Sequence, residues 1–338
     1  MRSVRSPQAG FVLALTLWIL AAITVVVSYF ALRVHRALTL AYDSQQNVQR
    51  LVDLDDTRAE ILFRLGVTPL SIYGLGPTPN QAIALDNRPY QGAGGTIVRL
   101  QDDRGLLNLN IVSDDRLNRF LGLLGIPDNA RAHMIDSLRD YQSTNNLAHR
   151  LNGATRADYI ARNLPPPRNE KLLTPYEPRR IIGWIHQPLL WRNQTLPRLT
   201  TVSASVAMNP NTAPWQVLAT LPGITPEGAR RIIRHRQLEP IVDQDQLAAL
   251  LGVPAQNFIM QIISLPADAI RVTQTAPGLP WAMQYNVSLT PMDMTAPWRI
   301  DYYFKVPTGH VDKAEKLYAL PARDSLSSLS RSAVPTLP

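Results

Sequence analysis

Between Phe11 and Leu32 the chain carries no charge at all. An α-helix needs about 20 apolar residues to cross the hydrocarbon core of a bilayer, so this run is expected to span a membrane as a helix. It differs from a secretory signal peptide, whose apolar core is about 7–15 residues long and ends in small residues. Here the small pair, Ala9-Gly10, precedes the apolar run. Arg2 and Arg5 flank one side and Arg33 and Arg36 the other, so charge balance alone does not orient the segment. The helix is expected to continue beyond the membrane. Arg33 to Leu65 contains no Pro or Gly, and Leu38, Tyr42, Leu51, Leu54, Ile61 and Leu65 recur at roughly helical intervals. Gly66 and Pro69 supply the stop. One helix over 11–66 would be roughly 80 Å long at 1.5 Å per residue.

Downstream, residues 67–95 are rich in Gly, Pro and Asn and read as loop. Thr96–Leu100 and Leu106–Ile111 read as strands, with Asp103-Arg104-Gly105 as the turn between them. Trp281–Leu289 and Arg299–Val306 alternate with period two, as half-buried strands do, and Ala269–Thr275 is a weaker third. Residues 114–264 read as helical. Leu123-Leu124-Gly125-Ile126-Pro127 closely matches Leu250-Leu251-Gly252-Val253-Pro254, and Leu221-Pro222-Gly223-Ile224 is a variant of both. In each, Gly takes the left-handed conformation past a helix end and Pro prevents continuation. Two small bundles joined by the Pro-rich stretch Leu164–Pro197 are therefore expected. The Ser- and Pro-rich end, Pro321–Pro338, reads as disordered.

Composition sets limits on chemistry. The formal charge of +8 in 338 residues is modest and spread out, and does not by itself imply nucleic acid. The absence of cysteine excludes thiolate catalysis, disulfides and Cys-ligated zinc. His133 and His149 are isolated, no His-Glu-x-x-His occurs, and Ser203 and Ser205 lack nucleophile-elbow glycines. No Walker-type phosphate loop is present. No enzymatic constellation emerges.

Arg5-x-x-x-x-Gly10 followed by Phe11-Val12-Leu13-Ala14-Leu15 resembles the N-terminus of a type IV prepilin. Most pilins and pseudopilins carry Glu as fifth mature residue, and Leu15 stands there instead. That departure is typical of the minor pseudopilin K family of type II secretion systems. Three further landmarks follow in family order. Asp102-Asp103-Arg104-Gly105 leading to Asn108-Leu109-Asn110 is similar to its acidic turn and Asn-Leu-Asn segment. Asn152-Gly153-Ala154 to Tyr159 is similar to its Gly-Ala-Glu…Tyr segment, and Asn209-Pro210-Asn211-Thr212-Ala213 to its Asn-x-Asn-Thr-Ala stretch.

The resemblance implies an α+β fold. A pilin-like N-terminal helix, transmembrane at its start, packs on an antiparallel sheet carrying a large all-α insertion of two SAM-like modules. The implied organisation is a leader at 1–10, the helix at 11–66 with 11–32 in the membrane, and a first β part at 67–113. A helical module with linker at 114–200, a second module at 201–264, a second β part at 265–310 and a mostly disordered tail at 311–338 follow. Prepilin peptidase would cut between Gly10 and Phe11, and Phe11 would be N-methylated. The product would be a non-enzymatic, single-pass inner-membrane protein with its bulk in the periplasm. Its partners would be the I- and J-type minor pseudopilins and other pseudopilins, and it would cap the tip of the pseudopilus and help start its assembly. Leu38 and Leu40, on the rod between Arg33 and Arg50, are the expected contacts for partner helices. A type IV pilus minor pilin is the alternative that the sequence leaves open.

Two further resemblances are weaker. Leu218 to Arg236 is similar to a helix-hairpin-helix, which would make a membrane-anchored periplasmic DNA-binding protein another alternative. DNA-binding versions usually have Gly where Thr225 stands, and Pro226 has no N–H to offer phosphate, so no nucleic acid is expected. Asp140 to Asn145 occupies the place of the family's calcium-binding acids. Calcium takes six to eight oxygens with several carboxylates. Ser143, Asn145 and Thr155 replace three acids, so no cofactor is expected, with Asp140 and Asn145 as the weak metal candidates.

Overall fold

The computed structural model describes residues 9–144, 150–203, 205–308 and 315–322. The leader residues 1–8, Asn145, His149 and the stretch from 323 onward lie outside the described residues. The chain forms two compact units, one ending at Asp53 and one beginning at Leu54.

The first unit is helical. Helix α1 runs from Ala9 to Val67, so the first unit is formed by its N-terminal part. Its apolar run is long enough to cross a membrane. The hydroxyls of Thr16, Thr24 and Thr39 bond back to the carbonyls of Leu13, Leu20 and His35, which satisfies them without any outside partner.

The second unit begins with the last turns of α1. A ribbon of β1 (Leu70–Ser71) and β2 (Gly74–Leu75) follows. The main sheet uses β3 (Asp86–Gln91) and β4 (Ile97–Asp102). Two short strands, β5 (Leu107–Asn108) and β6 (Thr200–Thr201), pair parallel in a separate sheet. The chain returns to the main sheet with β7 (Ala269–Thr275), β8 (Trp281–Leu289), β9 (Trp298–Pro307) and β10 (Tyr318–Ala319). The order is β10-β3-β4-β7-β8-β9, antiparallel except for β10 on β3. Ile61, Leu62 and Leu65 of α1 pack on Val98, Leu100, Ile270, Val272, Tyr285 and Val287, which gives the sheet one dry face. Burying each such side chain contributes about 1.5–3 kcal/mol.

Everything between β4 and β7 is an insertion. It holds α2 (Asp114–Leu123), α3 (Asp128–Gln142), α4 (Arg156–Ala161), α5 (Pro188–Trp191), α6 (Thr195–Leu199), α7 (Trp215–Leu218), α8 (Pro226–Arg236) and α9 (Gln244–Leu251). Both expected modules contribute to one continuous core, from Leu117 and Phe120 through Trp184 and Leu196 to Ile232 and Phe258. Gly125, Gly223 and Gly252 all have positive φ, as the repeated helix-end motif requires.

Three local expectations need correction. Leu106–Ile111 is not the hairpin partner of β4. Both edges of β4 are taken, by β3 and β7, so the chain leaves the sheet after Asp102 and only Leu107–Asn108 is extended and paired. The stretch 67–95, read as loop, contains β3; a register shift between Asp86 and Pro89 accommodates a proline that cannot donate to the ladder. Tyr318–Ala319, inside the stretch read as mostly disordered, pairs with β3.

Candidate functional site

Two features could carry function: the apolar surface of α1 and the polar junction that fixes the insertion to the sheet. On α1, Gly10 lies within the helix, and Phe11 and Leu15 are exposed. Leu38 and Leu40 are also exposed, at 52% and 71%. Positions two apart on a helix diverge by roughly 200°, so these two leucines cannot serve one partner face. Leu38 shares its face with Val34 and Tyr42, one turn either side and both exposed. Leu40 has Arg36 and Ser44 at the same offsets. Of the apolar stripe read beyond the membrane, Leu54, Ile61 and Leu65 are buried and Leu51 is not.

The junction joins landmarks that lie far apart in sequence. Asp102, at the end of β4, accepts the backbone N–H of Arg104 (2.9 Å) and Ala267 (2.8 Å) on one oxygen. Its other oxygen accepts from Asn209 Nδ2 (2.9 Å) and Thr212 Oγ1 (2.8 Å). Asp103 accepts from Thr201 Oγ1 (2.7 Å) and, across the sheet, from Asn286 Nδ2 (2.9 Å). Burial pushes the Asp102 carboxyl up to about 6 and moves Asp103 in the same direction, against the field of Arg271. The Arg271 guanidinium, buried in β7, donates to the carbonyls of Pro197 (2.5 Å) and Thr200 (2.6 Å) and to Tyr302 Oη (3.1 Å). Asn108 and Asn110 act as adapters around the buried Leu109. Asn108 Nδ2 donates to the Ser203 and Ser205 carbonyls, and Asn110 pairs through its amide with both the N–H and the C=O of Leu172. Buried polar groups are mostly paired in folded proteins, and here Asp102, Asn209 and Thr212 pair one another.

The helix-hairpin-helix region spans α7 and α8. Thr225 caps α8 by accepting from the Gly228 N–H at 3.1 Å. Of its basic cluster, Arg236 is spent internally, donating to the carbonyls of Pro210 (2.9 Å) and Ala213 (2.6 Å). Arg230 lies over the Trp215 ring and near Glu227.

Asp140, one of the two weak metal candidates, is engaged within the chain. Asp140 is buried and accepts the backbone N–H of Arg150 on both oxygens, at 3.1 and 3.3 Å. Thr155, where the family has Glu, is the N-cap of α4 in a capping box with Asp158. Asn145 lies outside the described residues. Among the described residues, no group of three or more His, Asp or Glu is placed to hold a metal ion.

A comparison with curated proteins finds no match. A family model for the helix-hairpin-helix motif matches residues 203–260. Among solved structures, the chain is similar to one chain of the GspK–GspI–GspJ complex from the type 2 secretion system of enterotoxigenic Escherichia coli. The TM-score is 0.59 at 17% identity, over 79% of this chain and 99% of that one. With its long N-terminal helix, antiparallel-rich sheet and helical insertion, this chain has the pilin-like α+β fold represented in that complex.

Proposed function

We propose that this protein is a K-type minor pseudopilin, a non-enzymatic subunit at the tip of a type II secretion pseudopilus. The observation that carries the reading is the fold shared with a chain of a complex that joins three such subunits, in a chain that also begins with a prepilin-like segment. The proposed course starts with cleavage between Gly10 and Phe11 and N-methylation of Phe11. The helix then holds the protein in the inner membrane, with its bulk in the periplasm, until it is drawn into the filament.

Leu15 supports an end position. A carboxylate at that depth costs about 2.5–3.5 kcal/mol on insertion scales and is normally kept for a partner. In pilin-type filaments, as the resemblance implies, that partner is the N-terminal amine of a neighbouring subunit, so a subunit with leucine there can offer its own amine but cannot receive one. The insertion between β4 and β7 argues the same way, since a bulky helical body would obstruct a subunit stacked above it. The helix-hairpin-helix match does not favour nucleic acid, because Pro226 offers no N–H and Arg236 is already spent on carbonyls.

The direct test is co-purification of the full-length protein, in detergent, with I- and J-type minor pseudopilins. A stable ternary complex is expected, and failure to bind either partner overturns the assignment. Gly10→Val tests the processing step by mass spectrometry. A full-length precursor is expected, and an unchanged mature mass overturns the prepilin reading.

A further inference from the structure

Three carboxylates of α2 and α3 share one partner residue. Asp136 and Asp140 sit one turn apart on α3, a spacing at which like charges destabilise a helix. Asp114 opens α2 beside them. One residue reaches all three. Arg150 Nη1 lies 2.5 Å from Asp114 Oδ2 and 3.4 Å from Asp136 Oδ1, and the Arg150 backbone N–H bonds Asp140. Its neighbours complete the closure. Asn152 donates its backbone N–H (3.2 Å) and Nδ2 (3.1 Å) to Asp136, and its carbonyl meets His133 Nδ1 at 2.6 Å. Gly153 passes so close that a Cβ there would lie 1.7 Å from Asp140 Oδ2. Arg139 steadies the far side, with Nε 2.9 Å from Asp114 Oδ1.

We propose that Arg150 is a tethered counter-ion that closes residues 150–153 onto α2 and α3, so that this part of the insertion holds its shape without a divalent cation. The guanidinium is suited to the task. It stays charged at any working pH, and its Nη1 faces both Asp114 and Asp136. Because it belongs to the chain, it is present at fixed effective concentration, whereas the stabilisation by a dissolved ion grows only with the logarithm of its excess over its Kd.

The test uses the full-length protein in detergent, with thermal unfolding followed in EGTA and in millimolar calcium chloride. Wild type should unfold at the same temperature in both. Arg150→Gln should unfold about 2–4 °C lower in EGTA. Calcium should recover part of that loss, since Asp136 then loses its guanidinium partner while Asp114 keeps Arg139. The recovery should vanish when Asp136→Asn is added. Arg150→Lys should keep most of the wild-type temperature and its indifference to calcium. A calcium-dependent rise in wild type overturns the proposal, as does an unchanged melting temperature in Arg150→Gln. A loss in Arg150→Gln that calcium does not touch leaves Arg150 a packing role and overturns the counter-ion. Should Arg150→Gln fail to fold, wild type and Arg150→Lys decide the matter by the same calcium comparison.

Discussion

Asp102 shows how much one carboxyl can hold. Its four hydrogen bonds favour the charged form, yet complete burial raises its value to about 6 from an ordinary 3.8. A carboxyl whose native value lies above its unfolded one binds more protons folded than unfolded between the two. Stability from this group therefore falls as pH rises from about 4 to about 6, by on the order of 3 kcal/mol. Asp86, bonded to Arg88, and Asp114, held by Arg150 and Arg139, are shifted downward. Their contribution is present above the unfolded value and is lost at lower pH. Melting temperature should thus decline between pH 4 and pH 6, and Asp102→Asn should flatten that slope. The variant should also lose about 1–3 kcal/mol at pH 7, because its amide N–H₂ would face donors. A slope unchanged in Asp102→Asn would refute the assignment. The Asp102, Asn209 and Thr212 motifs were all legible in the sequence as separate landmarks. Their mutual contact was not, since nothing in one chain's residue order couples positions so far apart.

At the scale of elements, the exposed stripe on α1 separates Leu38 from Leu40. If partner helices pack along the stripe of Val34, Leu38 and Tyr42, Leu38→Asp should weaken binding to the I- and J-type partners at least about tenfold, or 1.4 kcal/mol. Leu40→Asp, flanked on its own face by Arg36 and Ser44, should weaken it less. Neither should move the melting of the strands and helices from Leu54 onward. Equal losses measured by titration would show that both faces are covered. Periodicity revealed α1, β8 and β9 because long runs outweigh local exceptions. It missed β3 because Asp86-Asn87-Arg88-Pro89 has neither alternation nor β-forming residues. It misread Leu106–Ile111 because that segment alternates to bury Leu107 and Leu109 in the core of the insertion, a demand that looks the same as facing a sheet.

For the whole molecule, the proposed tip position makes the insertion a terminal body. Cross-linkers placed on it in assembled filaments should reach the I- and J-type subunits. Subunits cross-linked to it from both sides along the shaft would defeat the tip position. Leu15→Glu restores the acid but leaves the insertion in place, so it should not move the subunit into the shaft. The same architecture also governs how the chain can fold. β4 finds its partner β7 only across the whole insertion, with Asp102 beside Ile270, and β3 waits for Tyr318 on its other edge. Loop-closure entropy rises slowly with length, so this separation costs little stability, but non-local pairing slows folding. During synthesis the N-terminal helix, β3, β4 and the insertion all emerge before β7. Until then Val98 and Leu100 have no strand on that side to seal them. The β4–β7 pairing that closes the sheet therefore cannot form before the insertion has been made, and a newly made chain presents an open β4 edge to any strand that reaches it first.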